Sequence, residues 1–245
     1  MFVPWSSQSN IGQMLLSSHI ELETLGTVAG NVVVEIGHPD VNGPTGEVFG
    51  SRVTSETWEK VIDRLSRAAA KLGADGVHSI CLSRKVQDGE RGITEFLGKG
   101  IAVRGMRQDR IWTTEATPSE IILLGDAGYA PRCLVLGSCT WCQLCEGWKP
   151  NGTKKGGIAP QGNQEIAPAV QAAAISKSLA MTRLQQAAMK ADAVGVVGAR
   201  VRLVQLKSYS LPTAFIAWCE AYGSAVVPNR DSRNLNPQTY VSMKG

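Results

Sequence analysis

Charge of either sign is scarce: Asp, Glu, Lys and Arg make up 19% of the 245 residues, against 43% hydrophobic residues. That balance excludes a solvating tail or a low-complexity chain, which carry far more charge and far less apolar matter. Long hydrophobic runs are missing too. No stretch approaches the roughly 18 apolar residues that a membrane span needs. Positive charge is absent from the first 51 positions, the first Lys or Arg being Arg52. The amino terminus therefore lacks the basic start of a secretory signal and the arginines of a transit peptide, and the expectation is a soluble, cytoplasmic protein. Basic residues nowhere gather beyond a pair such as Lys154-Lys155. A nucleic-acid partner, which asks for a basic face, is not expected.

Charge and cysteine are unevenly spread. Up to Trp112 there are 12 basic and 13 acidic residues, and beyond it 13 basic and 8 acidic, so the net charge of +4 comes from the second half. Cys81 stands alone in the first half, while Cys133, Cys139, Cys142, Cys145 and Cys219 lie in the second. Without a secretory signal these read as thiols or metal ligands rather than disulfides.

The chain carries an internal repeat, which sets its domain count. In the first half Leu25-Gly26 and the apolar run Val32–Gly37 predict a strand, followed by a Gly/Pro-rich loop from His38 to about Val53. A helix to Leu72 is predicted from Trp58, Val61, Ile62, Leu65, Ala69 and Leu72, which recur at spacings of three and four. Thr54 or Ser55 is the expected cap and Gly73 the left-handed stop. Strands Val77–Arg84 and Phe96–Val103 close the unit. The second half replays the order, with Leu124-Gly125, a strand at Cys133–Gly137, a long polar loop, a helix from Pro168 to Lys190, and two strands. Its helix carries an expected stripe of Val170, Ala174, Met181, Leu184 and Ala188. The matched pairs are Gly37 with Gly137, Asp75 with Asp192, and Gly100 with Gly223, at offsets of 100, 117 and 123 residues. In the last strand Phe215, Ala217, Cys219 and Ala221 fall on one face, and Ile216, Trp218, Glu220 and Tyr222 on the other.

Leu25-Gly26, Gly50-Ser51-Arg52, Leu72-Gly73-Ala74-Asp75-Gly76-Val77 and Gly100-Ile101-Ala102-Val103 together resemble the YbjQ-like family, which carries a heavy-metal-binding label. The resemblance spans about residues 22 to 105, and more weakly 121 to 227. It implies an α+β fold of two tandem β-α-β-β (dodecin-like) domains, each a small antiparallel sheet packed on one helix. It also implies assembly into closed rings, commonly pentamers, with no established activity. The expected organisation is an arm at 1–20, a first domain at 21–108, a linker at 109–119, a second domain at 120–228 with a Cys- and Gly-rich loop at 137–168, and a tail at 229–245. Physics points the same way, because a unit of three strands and one helix covers one face of its sheet, and roughly 85 residues bury little surface alone.

One constellation carries metal chemistry. Cys139, Cys142 and Cys145 sit three apart, and thiolates so spaced in a turn converge on one tetrahedral zinc or other thiophilic ion. A fourth ligand has to come from Cys219, His38, His78 or another subunit. The competing reading makes these cysteines small buried residues beside Trp141, Leu144 and Trp148. His78 and Cys81 are expected on opposite faces of one strand. His19, His38 and His78 have no nucleophile at a signature spacing, and the segments from Gly92 to Lys99 and from Gly43 to Gly50 miss the phosphate-loop spacings. The expectation is thus a non-enzymatic, ring- or shell-forming homo-oligomeric scaffold. A metal-binding or metal-sensing protein is the alternative, and an enzyme or ligand binder with its site between the domains the third.

Overall fold

A run in which Val28, Gly30 and Val32 alternate with exposed neighbours has the two-residue period of a half-buried strand, and it forms β1 (Glu23–Glu35). The computed structural model describes residues 22–36, 46–47, 50–88, 92–144, 167–209 and 214–229. After β1 come the two-residue strand β2 (Gly46–Glu47), helix α1 (Gly50–Lys71), and strands β3 (Gly76–Asp88), β4 (Ile93–Arg104) and β5 (Trp112–Thr113). Helix α2 (Pro118–Asp126) leads to β6 (Tyr129–Leu144), helix α3 (Ala167–Lys190), β7 (Gly195–Tyr209) and β8 (Ala214–Pro228). The chain is therefore mixed α+β, with three helices and two four-stranded sheets among the described residues, ordered β1-β4-β3-β5 and β2-β6-β8-β7.

The long strands of both sheets share one order and some of their irregularities. The first, third and second long strands lie side by side, as β1-β4-β3 and β6-β8-β7, all antiparallel. Register shifts recur at matched places, Thr24/Gly26 and Pro131/Cys133 in the first strands, His78/Cys81 and Val197/Arg200 in the second. Ser79 and Gly198, inside the latter shifts, are both left-handed, at φ 51° and 64°. Each first strand also meets its helix at a glycine. A Cβ on Gly30 would lie 2.8 Å from Leu65 N, and one on Gly137 2.6 Å from Leu184 N, each closer still to a helix carbonyl oxygen.

These contacts revise the expected pairing. Gly137 follows its counterpart Gly30 by 107 residues, and Gly37 lies outside the described residues. Asp192, left-handed at φ 57°, follows Gly73 at φ 71° by 119, so Asp75 is matched by Val194 instead. Gly223 follows Gly100 by 123 as expected, since a Cβ on either would strike the valine of the neighbouring strand, Val196 or Val77. The Asp-for-Gly exchange hides the true match because Asp is among the few residues that tolerate the left-handed region.

The helices also depart in detail. α1 starts at Gly50, so Thr54 and Ser55 lie within it rather than capping it, and Thr54 is fully buried. α3 buries Ala169, Ala172, Ser176, Ala180, Leu184 and Ala188, leaving the expected stripe members Val170 and Ala174 exposed. At the glycine contact the smallest side chains, not the largest, have to face the strand. α2 replaces the end of the expected linker and the expected opening of the second unit. Thr117 caps it with Glu120 in a reciprocal box, and Ile121 packs with Trp112, Ile101 and Leu22.

The layers stack as helix, sheet, helix, sheet. α3 covers one face of β6-β8-β7, and α1 is held between the other face of that sheet and the inner face of β1-β4-β3. Trp58 of α1 meets Phe96 edge-on, with ring centroids 4.8 Å apart, while Leu65 and Ala69 share a cluster with Leu134 of the second sheet. None of the described helices is long and apolar enough to cross a membrane.

Candidate functional site

Of the expected metal ligands, Cys139 and Cys142 fall in an unbroken strand rather than a turn. β6 pairs with β8 residue for residue from Cys133 to Leu144, so Cys139 and Cys142, three positions apart, point to opposite faces. Cys139 is fully buried against α3 and lies opposite Cys219. Ser176 ties the pair together, its hydroxyl donating to Cys139 O at 2.7 Å and accepting from Cys219 N at 3.1 Å. Burial pushes the Cys139 thiol up to about 11, and that of Cys219 also upward, which favours the protonated form over the thiolate that binds metal. Cys145 and His38 lie outside the described residues, and among the described ones no three His, Cys, Asp or Glu side chains gather as an ion would need. His78 and Cys81 also depart from expectation. The bulge at Ser79 sets His78 opposite Ile101 and Cys81 opposite Lys99, which puts them on the same face. His78 is buried and Cys81 exposed, so they still form no site.

Among the described residues, a dense polar constellation lies where the two sheets meet across α1, and none of the described members of the expected site belongs to it. Glu220 of β8 is 2% exposed, in a strand whose residues are otherwise apolar, small or aromatic. Trp58 Nε1 donates to its Oε1 at 3.3 Å, and Arg202 of β7 donates to Oε2 through Nε at 3.1 Å and Nη2 at 2.8 Å. Arg84 of β3 approaches Oε1 at 3.8 Å and lays its guanidinium 3.9 Å from the centre of the Trp218 ring. Its burial presses the guanidinium toward neutrality, and Glu220 opposes that. One carboxylate thus binds α1 and β3 of the first unit to β7 and β8 of the second. Every partner holds it as an acceptor, which suits a structural tie rather than acid–base work. The signal available in the sequence was the single charge among the face residues Ile216, Trp218, Glu220 and Tyr222.

Around this tie the junction is built from main chain as well. β2, from the first unit's loop, pairs Gly46 with Cys142 and Glu47 with Trp141 on the outer edge of β6. Beyond it the Ser51 hydroxyl of α1 accepts from Thr140 N at 2.6 Å. Arg183 of α3 reaches round that edge to Ser138 O and to Glu47, both at 2.5 Å, holding the Glu47 carboxyl below its usual range. The edge of β6 is thereby covered, as an aggregation-safe edge must be. Compared with known proteins, the chain matches no family model and no curated sequence.

Proposed function

We propose that this protein is a non-enzymatic scaffold assembled from copies of itself, its two units being YbjQ-like and dodecin-like in the sense set out above. The observation that carries the reading is the asymmetry of the internal junction. The first unit offers its helix side, through Ser51, Trp58 and Arg84, while the second offers the outer face of its sheet, through Thr140, Trp218 and Glu220. A contact between unlike faces of like units is heterologous, and it leaves one face of each kind unused. Those unused faces are the part of the outer side of β1-β4-β3 that α2 and Trp112 leave open, and the far side of α3 with β7.

Of the positions that match the six junction residues on these faces, three are apolar and exposed. With the offsets above, Thr140 corresponds to Val33, Ser51 to Val170 and Arg84 to Leu203. Their exposures are 56%, 46% and 48%, and they account for three of the eight large hydrophobic residues exposed among the described ones. Apolar side chains gathered on surfaces that have a docking counterpart elsewhere in the chain mark contact sites between copies. The second unit of one chain then docks on the first unit of the next, and the series closes into a ring. The resemblance leads us to expect five chains. Native mass spectrometry tests this: a closed multiple of 26.2 kDa, unchanged on dilution, is expected, and a single-chain mass at micromolar concentration would remove the proposal.

A further inference from the structure

A cavity of about 230 Å³ opens between α2 and the start of β7, away from the junction around Glu220. The short strand β5 runs on into Glu115, whose backbone N–H donates to the Ser224 hydroxyl at 3.3 Å, and that hydroxyl is itself 2.6 Å from the hydroxyl of Thr114. These bonds fix the Glu115 backbone and set its side chain on the cavity wall beside Gly198. Its Oε1 is shut off from bulk solvent and has no hydrogen-bond partner among the described residues. A carboxylate oxygen closed off without a donor is costly, so Glu115 gains by turning toward a ligand in the cavity that brings one. Burial moves the Glu115 carboxyl upward, while the positive field of Arg200, also on the cavity wall, acts against that shift. Gly198 makes room: it is left-handed at φ 64°, and a Cβ there would lie 2.8 Å from Oε1. Besides Glu120, whose carboxylate accepts from Thr117 N at the start of α2, the rest of the lining is apolar, from Ala116, Leu123, Leu124 and Val197, with Leu123 65% exposed.

We propose that this cavity binds a small zwitterion, an α-amino acid with an apolar side chain. Its ammonium group meets the Glu115 carboxylate, its carboxylate meets the Arg200 guanidinium, and its side chain lies on Leu123, Leu124 and Val197. Opposite charges lining one cavity, beside an apolar patch, match the three parts of such a molecule, whereas a simple amine or a simple acid satisfies only one charge. The inference stands independently of assembly, because every residue named belongs to one chain.

Isothermal titration of the full chain with L-leucine tests it, with 3-methylbutylamine and 4-methylpentanoate as the analogues lacking one charge each. Saturable binding of leucine is expected, weakened about tenfold or more for each analogue and for Glu115→Gln and Arg200→Ala. Both substitutions leave the bonds of Thr114 and Ser224 in place, and an unchanged circular dichroism melt checks that each variant is folded. No heat with leucine at about 10 mM overturns the proposal. So does equal binding by the amine alone, which reduces the cavity to a cation site, and so does undiminished leucine binding by a folded Glu115→Gln variant.

Discussion

Glu220 and His78 are both buried ionisable residues, yet their environments assign them opposite behaviour. Glu220 is met by Trp58, Arg84 and Arg202, so its removal leaves two guanidinium groups near each other without the charge that reconciles them. Glu220→Ala is expected to cost about 3–5 kcal/mol in urea unfolding, and Glu220→Gln less, because the amide still accepts from Trp58. His78 is 1% exposed, and its Nδ1 lies 2.9 Å from the Ser79 hydroxyl. Burial lowers its pKa from 6.5 to about 4. Between those two values the unfolded chain takes up a proton that the folded chain refuses, so stability falls as the pH drops from 6.5 toward 4 and this loss levels off below. The loss approaches about 3 kcal/mol, and a His78→Leu variant should show a flatter stability profile over that window. Of these residues the sequence displays Glu220 openly, as the lone charge on its strand face. The role of Glu115 is not legible there, because it depends on a cavity that α2 and β7 create together.

Elements are legible where periodicity alone decides and illegible where a glycine or a cap does. The inward face of α1 follows from the spacing of Trp58, Val61, Leu65 and Ala69, all buried as expected, while Leu72 of the same expected stripe lies past the helix end and is 44% exposed. The face of α3 does not, since an Ala-rich helix offers several stripes and the choice falls to Gly137, which admits Ala180 and Leu184 at backbone distance. Gly137→Ala and Gly30→Ala should each force helix and strand apart, at about 1–3 kcal/mol, seen as a lowered melting temperature. Gly125 in α2 supplies the contrast. Nothing lies within 4 Å of where its Cβ would stand, so Gly125→Ala should stabilise by about 0.5–1 kcal/mol through helix propensity. α2 itself is announced by Thr117-Pro118-Ser119-Glu120, a capping box with proline in the first turn, but the match between Leu124-Gly125 and Leu25-Gly26 competes with that signal and masks it. The cysteine stretch misleads differently. Read as a turn it brings thiols together, and the long pairing with β8 separates Cys139 from Cys142 instead.

At the scale of the molecule, the sequence displays the order of helices and strands in an α+β chain, but not the offsets between the two sheets, because bulges and a left-handed aspartate preserve shape without preserving letters. The corrected offsets are what pair Val33 with Val170 as the counterparts of Thr140 and Ser51. If the free faces meet as the internal ones do, these two valines lie against each other across the contact between copies. A charge on either one alone is then buried without a partner, and charges of opposite sign on both are reconciled. Val33→Lys and Val170→Asp are each expected to give folded single chains, and the double variant to recover the native particle mass. The salt dependence should be strong for the double variant and weak for the unaltered protein, whose contact is apolar at this point. Single variants that keep the particle mass, or a double variant no better than either, place the two valines on surfaces that do not meet. Mixing the two single variants then reads the parity of the ring. Where the variants alternate, the introduced lysine of one copy faces the introduced aspartate of the next at one junction, and valine faces valine at the following one. Every contact is satisfied only when the number of chains is even, so the mixture should yield even-numbered particles in native mass spectra, and a native ring of five cannot be rebuilt from it without one mismatched junction.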